Sequence, residues 1–449
     1  MTLPFPLPDP VAAPKYLALA DAIESAIAAG QLRPGDPLPT HRDLARAMGV
    51  TVGTVTRGYA EAARRGLVHG EQGRGTFVTQ AEEGFADLRG DSSGVVDLGL
   101  AAAHHNLGPD LARTLAKLAH SPDLHRLLSR HEARGLPRHR RAGAAWAKRH
   151  GHVADPDQVL VTAGVQHALT VLLAGLFGPG DRLAVECLTY PMVRPLAKRL
   201  RLHLVPIPLD ESGLDPAALD AACRREPVRG LYLMPTCQNP TAARMPEYRR
   251  HELAGVCRKH GVRIIEDDVY ALAVDSGLPP LCSLAPELGY FLAATSKVLC
   301  DGLRVAFLCA PREDVRALES AIEWTAWKAA GLMAEVASQW VTDGTAERAI
   351  AANRAEARAR NEICAEVLGR ENYRGQDTGY FAWLPLPKGW RAVEFSAEAA
   401  SRGVIVAHLE HFAVGQAQTG QGVRVSLLGS ATRADLRRGL EVLAGLLRL

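Results

Sequence analysis

The sequence predicts an α/β protein with a mostly parallel sheet that has helices on both faces, preceded by a smaller helical domain that ends in a β-hairpin. From about residue 95 onward, short apolar strands alternate with helical stretches, which is typical of a parallel sheet. Over the first eighty residues, three helical segments precede two short β-prone segments. The length of 449 residues exceeds what one ordinary hydrophobic core supports, so at least two domains are expected.

Composition and charge indicate a globular protein of the cytoplasm. Hydrophobic residues make up 47% and charged residues 22% of the chain, as in soluble domains. The formal net charge of +3 is too small to predict a polyanionic partner by itself. Residues 1–14 are proline-rich and carry neither a basic start nor a long apolar run, so we expect no secretory signal and no membrane span.

Cysteine and histidine spacing argues against a metal site and against a disulfide framework. The eight cysteines include no Cys-x-x-Cys pair, and free cysteines suit a reducing cytoplasm. The tightest histidine pairs are His104 with His105 and His408 with His411, and neither has a set of carboxylates or cysteines at ligand spacing. We therefore expect no metal ion.

The first eighty residues follow a winged-helix plan. Helices are predicted over residues 15–29, 40–48 and 51–65, and a glycine follows each of them. Two β-prone segments, 67–69 and 76–78, then flank a glycine-rich turn that suits a hairpin. A helix, a helix-turn-helix and a two-stranded wing are the parts of a DNA-binding module that reads the major groove.

This segment resembles the DNA-binding domain of the GntR family through the motifs Leu38–Ala45, Val50–Tyr59 and Gly73–Val78. The resemblance implies a domain over residues 1–79 that binds double-stranded DNA. The residues that it assigns to the DNA contact are Thr40, His41, Arg42, Thr51, Gly53, Thr54, Thr56, Arg57 and Arg74. Because residues 1–80 hold eight basic against seven acidic side chains, we expect binding to rely on base contacts and dimer avidity.

A polar stretch separates this domain from the rest of the chain. Residues 80–94 are rich in glycine, serine and charged residues and poor in aliphatic ones, which predicts a flexible linker. Beyond it, the predicted strands are residues 158–162, 182–186, 203–207, 230–234, 262–266, 290–293 and 305–309. A helix is predicted over 164–177. Functional groups are expected at the carboxyl ends of such strands.

Lys297 follows one of these strands among small residues. An ammonium in that place is poorly solvated, which lowers the pKa and makes the neutral amine available as a nucleophile toward an aldehyde. Arg304, seven residues on, could hold a phosphate nearby. A lysine with a phosphate anchor is what pyridoxal phosphate requires. Taken alone, this stretch is also compatible with a snorkelling surface lysine.

Other strand ends carry groups that suit the same cofactor. Asp267 directly follows a strand and could keep the pyridine nitrogen protonated. Tyr270 and Asn239 could donate to the phenolic oxygen of the ring, and Tyr190 could stack on the ring face. Residues 164–166 open a helix, where backbone amides receive phosphate. Each residue alone has a structural explanation, but together and in this order they indicate a cofactor site.

The span from Gly135 to the final helix resembles fold-type I, class I/II aminotransferases, and in particular the aminotransferase-like half of MocR-type regulators, which join that half to a GntR domain. The motifs that carry the resemblance are Gln-Asn-Pro-Thr at 238–241, Glu-Asp-Asp-x-Tyr at 266–270 and Ser-Lys-x4-Gly-x-Arg at 296–304. The resemblance implies that residues 95–449 bind pyridoxal phosphate, sense an effector and dimerise, with a smaller C-terminal α/β subdomain.

Site roles follow from the resemblance residue by residue. It implies that Lys297 forms an aldimine with the cofactor, and that Arg424, in the strand-like segment 422–426, binds a carboxylate of the substrate or effector. The residues that it assigns to cofactor contact are Gly164, Val165, Gln166, Tyr190, Asn239, Asp267, Tyr270, Ser296, Lys297 and Arg304. Ala294 and Ala242 depart from the family pattern.

Three hypotheses follow for the whole chain. The first is a PLP-dependent, DNA-binding transcriptional regulator that senses an amino acid or related amine by aldimine exchange at Lys297. The alternative is an active aminotransferase, converting an amino acid to a 2-oxo acid, with an appended DNA-binding domain. The third is a repressor whose large domain only dimerises. It gives no role to the candidate cofactor-binding residues, which include Lys297 and Asp267. A homodimer is expected in each case.

Overall fold

The chain divides into two compact units, Met1–Asp87 and Leu88–Leu449. The junction lies within the predicted linker. The structure is a computed structural model, and the residues it describes are 14–28, 31–32, 35–64, 67–71, 75–78, 94–101, 110–129, 132–274, 277–415 and 420–448.

The first unit has three helices and a two-stranded hairpin, in the predicted order. They are α1 (Lys15–Ala28), α2 (His41–Met48), α3 (Val52–Arg64), β1 (Val68–Glu71) and β2 (Gly75–Val78). The helices form where the sequence places a cap and a stop. The Thr40 side chain accepts a hydrogen bond from the Asp43 amide at the start of α2, and Gly49 ends that helix in the left-handed conformation, at φ 62°.

A small apolar core holds this unit together. Leu19 of α1, Leu44 of α2 and Val55 of α3 are fully buried. Tyr59 packs with them and donates from its hydroxyl to the Pro39 carbonyl oxygen at 2.8 Å. Its hydrogen bond joins α3 to the segment that leads into α2. Gly58 allows α1 to approach α3 closely, because a Cβ there would lie 2.6 Å from Leu19 Cδ2.

The second unit alternates helices and strands along the chain. Its helices are α4 (Leu111–Ala119), α5 (Leu124–Leu128), α6 (Pro137–Arg149), α7 (Val165–Leu176), α8 (Val193–Arg199), α9 (Pro216–Arg225), α10 (Glu247–His260), α11 (Leu281–Leu284), α12 (Val315–Ala326), α13 (Gly331–Thr342), α14 (Thr345–Leu368), α15 (Ala392–Ser401) and α16 (Arg433–Leu447). Its strands are β3 (Val96–Asp97), β4 (Val159–Thr162), β5 (Arg182–Glu186), β6 (His203–Ile207), β7 (Leu209–Asp210), β8 (Gly213–Leu214), β9 (Val228–Leu233), β10 (Arg263–Asp267), β11 (Gly289–Ala294), β12 (Ala306–Cys309), β13 (Phe381–Pro385), β14 (Val404–Ile405), β15 (Ala407–His408) and β16 (Gly422–Ser426).

A seven-stranded sheet forms the centre of the second unit, in the order β4-β12-β11-β10-β9-β5-β6. Only β12 runs antiparallel to its neighbours, so the sheet is mostly parallel, as predicted. Phe291 and Phe307 belong to one apolar cluster, whereas Leu292 and Leu308 belong to another. Alternate side chains of a strand point to opposite faces, so both faces of this sheet are covered.

Register brings the ends of three neighbouring strands to one edge of this sheet. Glu266 of β10 pairs with Leu233 of β9, and Asp267 pairs with Leu292 of β11. The segments that follow these strands therefore lie side by side. A separate antiparallel sheet, β13-β16-β15, carries Arg424 on its central strand.

The close approach of α1 and α3 gives a first prediction. Gly58→Ala should destabilise the first unit by about 1–3 kcal/mol, because the new methyl group would overlap the buried Leu19 side chain. The measurement is native-state hydrogen exchange of α1–α3 in the full-length protein. Gly53→Ala is the matched control on the same helix, since its Cβ would meet nothing closer than Thr51 Oγ1 at 3.9 Å. Equal protection in the two variants would contradict this packing.

Candidate functional site

Lys297 lies in the turn after β11, with its side chain 18% exposed. Burial lowers the pKa of its ammonium, and the charges of Arg424 and Arg304 lower it further, while Asp301 opposes the shift. Asp301 Oδ2 lies 3.8 Å from the lysine Nζ. Tyr380 donates from its hydroxyl to the Lys297 carbonyl oxygen at 2.9 Å, which fixes the turn. The site therefore presents an amine that loses its proton more easily than an exposed lysine.

Asp267 ends β10 and is almost fully buried, at 3% exposed. Burial raises the pKa of its carboxyl group to about 6, against the hydrogen bond from the Tyr232 hydroxyl, which lowers it. That hydroxyl donates to Oδ2 at 2.7 Å, and Oδ1 has no partner among the described residues. One carboxylate oxygen is thus held by the protein while the other is free to bind a protonated nitrogen.

A second buried acid, Glu186, lies near Asp267 and was not singled out from the sequence. It ends β5, and its Oε2 accepts from the Met234 amide and from Gln238 Nε2, both at 3.2 Å. Burial raises the pKa of Glu186 to about 8, and the charge of Asp267 adds to the shift. Gln238 also accepts from the Thr241 hydroxyl at 2.7 Å. Glu186 and Gln238 therefore hold the loop that contains Asn239.

Asn239 and Arg424, 185 positions apart, meet in this site. Arg424 Nη1 donates to Asn239 Oδ1 at 2.7 Å, and both side chains are buried. The guanidinium lies 4.9 Å from the ring centre of Phe412 and 5.5 Å from that of Phe381. Such a cation is well placed to bind a carboxylate.

The predicted phosphate-binding residues also come together. Gly164, at φ 83°, precedes the first turn of α7, and a Cβ on it would lie 2.8 Å from Arg304 Nη2. Arg304 therefore lies against the N-terminus of α7, where Val165 and Gln166 begin the helix. The Gln166 Oε1 atom is buried without a partner among the described residues. A cation beside a helix N-terminus is a suitable anion site. Ser296 is half-buried beside Lys297.

The two predicted tyrosines lie in the same region. Burial raises the pKa of Tyr190 to about 12, and the charge of Asp267 acts in the same direction. Tyr270 is buried, and its ring packs edge-on against Phe381 at 5.1 Å between centroids. Burial also raises the pKa of Tyr270 above its ordinary value. Both phenols therefore stay protonated and can act as hydrogen-bond donors.

The donor set fits pyridoxal phosphate. Three buried polar atoms in this site lack partners among the described residues, and each could bind one part of that molecule or of its ligand. Asp267 Oδ1 could bind the ring nitrogen, Gln166 could lie beside the phosphate, and Arg424 Nε could bind a carboxylate. The side-chain amide of Gln166 can present either atom in that position. Buried polar atoms normally have partners, and these three are available to a ligand.

On the first unit, most residues predicted to contact DNA are exposed. Those are Thr40, Arg42, Thr51, Gly53, Thr56 and Arg57. Thr51 caps α3, since its Oγ1 accepts from the Thr54 amide at 3.2 Å, and the Thr56 hydroxyl donates to the Val52 carbonyl oxygen at 3.0 Å. His41 is half-buried against Tyr59, with ring centres 5.0 Å apart. Arg74 lies outside the described residues.

The histidine pairs show no metal-binding arrangement in the part of the chain that is described. His408 and His411 stack with ring centres 3.9 Å apart, and His408 Nδ1 lies 2.8 Å from Glu410 Oε2. The pKa of His411 is lowered to about 4, mainly by burial and in addition by the positive charges of Arg194 and Arg424. No cluster of three candidate ligands occurs among the described residues. His104 and His105 lie outside them.

Comparisons with known families account for nearly the whole chain. Residues 98–443 match the family described as aminotransferase class I and II. Residues 15–78 match the gntR family of bacterial regulatory proteins.

Individual relatives match most of the chain. The HTH-type transcriptional regulator YdeF of Bacillus subtilis is 31% identical over 97% of this chain and 94% of its own. The pyridoxine biosynthesis transcriptional regulator PdxR of Corynebacterium glutamicum is 28% identical over 88% of each chain. Among solved structures, the α-aminoadipate aminotransferase LysN of Thermus thermophilus, complexed with N-(5'-phosphopyridoxyl)-L-leucine, matches with a TM-score of 0.70 and 25% identity. That match covers 81% of this chain and 98% of LysN.

The burial of Glu186 predicts a pH-dependent effect on stability. As the pH rises above the ordinary value of 4.5, the unfolded carboxyl ionises, whereas the folded one keeps its proton to about pH 8. The wild type should therefore lose stability over this interval, by up to about 1.4 kcal/mol per pH unit. Glu186→Gln keeps an acceptor for Met234 and Gln238 and has no proton to lose.

Urea unfolding at a series of pH values measures this difference. The gain of Glu186→Gln over the wild type should be near zero at pH 4, grow as the pH rises, and level off above pH 8. Glu211→Gln is the control, because that side chain is 85% exposed. A gain that does not depend on pH would contradict the assignment of a protonated, buried Glu186.

Proposed function

We propose that this chain, which belongs to the class I and II aminotransferase family and to the HTH-type transcriptional regulators with a GntR domain, is a regulator controlled by an amine. It is a pyridoxal-phosphate-dependent, DNA-binding regulator of the MocR type. Its large unit senses an amino acid or a related amine, and its N-terminal unit binds double-stranded DNA at a promoter or operator.

The observation that carries this proposal is the intact Lys297 site in a chain that also has a helix-turn-helix unit. When bound, pyridoxal phosphate supplies an aldehyde that bonds covalently to a primary amine. Lys297 offers that amine with a lowered pKa, and Asp267 offers a free carboxylate oxygen to the ring nitrogen. Arg304 and the N-terminus of α7 offer an anion site. An incoming primary amine has the same reactive group as Lys297 and would compete with that lysine for the cofactor.

Arg424 indicates which amines are favoured. Its buried guanidinium donates to Asn239, in the loop after β9, and β9 pairs with the strand that ends at Asp267. Its charge also contributes to the lowered pKa of Lys297. A ligand with an amine and a carboxylate can therefore engage both groups. α-Amino acids have this arrangement.

An active aminotransferase is the second candidate. The likeness to LysN, an aminotransferase, favours it, as does the retained lysine, which can carry protons once an incoming amine releases it. The two proposals differ in one product, because only the enzyme yields a 2-oxo acid.

A homodimer is part of the proposal. The balance of basic and acidic residues in the first unit leaves little nonspecific attraction to phosphate, so two half-sites bound together would supply the affinity. Binding a chromosome would place the protein in the cytoplasm of a bacterial cell. No described helix combines the length and the apolarity that a membrane span requires.

Lys297→Ala should abolish covalent capture of the cofactor. Without the amine there is no group to bond to the aldehyde, although the anion site around Arg304 remains. The measurement is borohydride reduction of the PLP-loaded protein followed by peptide mass spectrometry. The wild type should carry the label at Lys297, and an exposed-lysine variant, Lys388→Ala, should do the same. Label on another lysine in the wild type would contradict the assignment.

Arg57→Ala should weaken specific DNA binding roughly tenfold or more, as expected for loss of a base or phosphate contact, while cofactor loading stays normal. Fluorescence anisotropy with operator DNA at several salt concentrations measures the effect. Arg402→Ala removes the same charge from the exposed surface of the large unit and controls for net charge. Equal affinity in the Arg57 and Arg402 variants would show that α3 does not contact DNA through Arg57.

A further inference from the structure

Arg424 is already occupied by groups of the protein itself. Its Nη1 donates to Asn239 Oδ1 at 2.7 Å, and its Nη2 donates to the carbonyl oxygen of Gly99 at 2.5 Å. Its Nε is buried with no acceptor among the described residues. On the side of the guanidinium formed by Nη2 and Nε, Nη2 therefore donates to a neutral acceptor, and Nε donates to no described residue.

The turn that supplies this carbonyl group is held from several directions. Asp97 Oδ1 accepts from the Gly99 amide at 2.7 Å and from the Leu100 amide at 3.4 Å. The Leu98 carbonyl oxygen accepts from the Ser426 amide at 2.7 Å, and Ser426 lies on the same strand as Arg424. In addition, β3 pairs with β14 in parallel. These hydrogen bonds and the strand pairing therefore orient the carbonyl group of Gly99 toward Arg424.

We propose that the turn formed by Asp97, Leu98 and Gly99 determines the specificity of the effector site, because the Gly99 carbonyl group stands in for the effector's carboxylate until an effector displaces it. The inference rests on the proposed function, since it assumes that an amine enters at Lys297. It extends that function, because the Gly99 carbonyl group competes for Arg424 and a ligand's carboxylate must replace it.

Hydrogen-bond chemistry decides which ligands can do so. A carboxylate offers two oxygens and a full negative charge, so it can accept from Nη2 and Nε together, and charge-assisted bonds of this kind are about twice as strong as neutral ones. It also gives Nε the partner that a buried donor requires. A plain amine has no group to exchange for the Gly99 carbonyl, so it gains nothing from Arg424. The turn therefore favours amino acids over the corresponding amines.

Displacement would also loosen the turn that follows the first described strand of the second unit. Gly99 follows β3, the first described strand after the junction between the two units. Without its bond to Arg424, the turn keeps only the contacts of Asp97 and of the Leu98 carbonyl oxygen, so its amides should open to solvent more often. A carboxylate bound at Arg424 would thus change the contacts of the segment through which the chain enters the large unit.

The test compares amino acids with the amines that remain after their decarboxylation. The probes are L-alanine and ethylamine, L-leucine and 3-methylbutylamine, L-phenylalanine and 2-phenylethylamine, and L-lysine and cadaverine. Each is titrated into the PLP-loaded protein and followed by visible absorption. We expect the wild type to bind at least one amino acid more tightly than its amine.

Asp97→Ala then releases the turn, because the Gly99 and Leu100 amides lose their acceptor. With a weaker internal competitor, affinity for the amino acid should rise roughly three- to tenfold, the equivalent of about one hydrogen bond, while affinity for the amine stays unchanged. Asp97→Asn keeps an oxygen acceptor and should restore part of the wild-type behaviour. Asp215→Ala removes a similar bond, to the Ala217 amide at 2.8 Å, and should bind as the wild type does.

Hydrogen exchange gives a readout that does not depend on the absorption spectrum. In the wild type, the amino acid that binds should speed exchange of the Gly99 and Leu100 amides, and its amine should not. If amino acids bind but Asp97→Ala leaves their affinity unchanged or lowers it, the inference is overturned while the proposed function stands. If no amine or amino acid alters the absorption of the wild type, the proposed function fails and this inference fails with it.

Discussion

The burial of ionisable groups around one edge of the seven-stranded sheet is the constraint on which the large unit depends. Lys297, Asp267, Glu186 and Arg424 all lie out of reach of bulk water or nearly so. Removing such groups from water is costly unless partners compensate. Tyr232, Asn239 and the backbone of the Gly99 turn provide part of that compensation. Asp267 Oδ1 and Arg424 Nε have no partner among the described residues, and a ligand could satisfy both. The same burial lowers the pKa of the lysine and raises that of the two acids.

The sequence could predict the parts of this site that follow strands. Asp267 stands directly after an apolar run, Lys297 and Asn239 stand a few residues after theirs, and the ends of neighbouring parallel strands meet at one edge. Strand bounds were close as well, since residues 182–186 and 203–207 are the observed β5 and β6. The reversal of β12 was not predicted, because short buried strands carry no directional signal.

The groups that support the site could not be predicted in the same way. Tyr232 lies inside a buried strand, and only the register of β9 against β10 shows that its hydroxyl reaches Asp267. Glu186 resembles an ordinary strand end, and its high pKa depends on burial that no local pattern reveals. The bond from Arg424 to Gly99 joins positions 325 residues apart. Likewise, the hydrogen bond from the hydroxyl of the exposed Thr56 to the backbone of its own helix could not be predicted.

In the proposed function, a small molecule links amine chemistry at Lys297 to DNA contact by α3. The measurement that tests it most directly is a single titration of the PLP-loaded protein, bound to operator DNA, with the amino acids named above. Visible absorption, DNA anisotropy and 2-oxo acid production are recorded together. The account predicts that one amino acid changes the absorption and the DNA affinity over the same concentration range without forming 2-oxo acid. Steady formation of 2-oxo acid with no change in DNA affinity would contradict it and identify the protein as an aminotransferase.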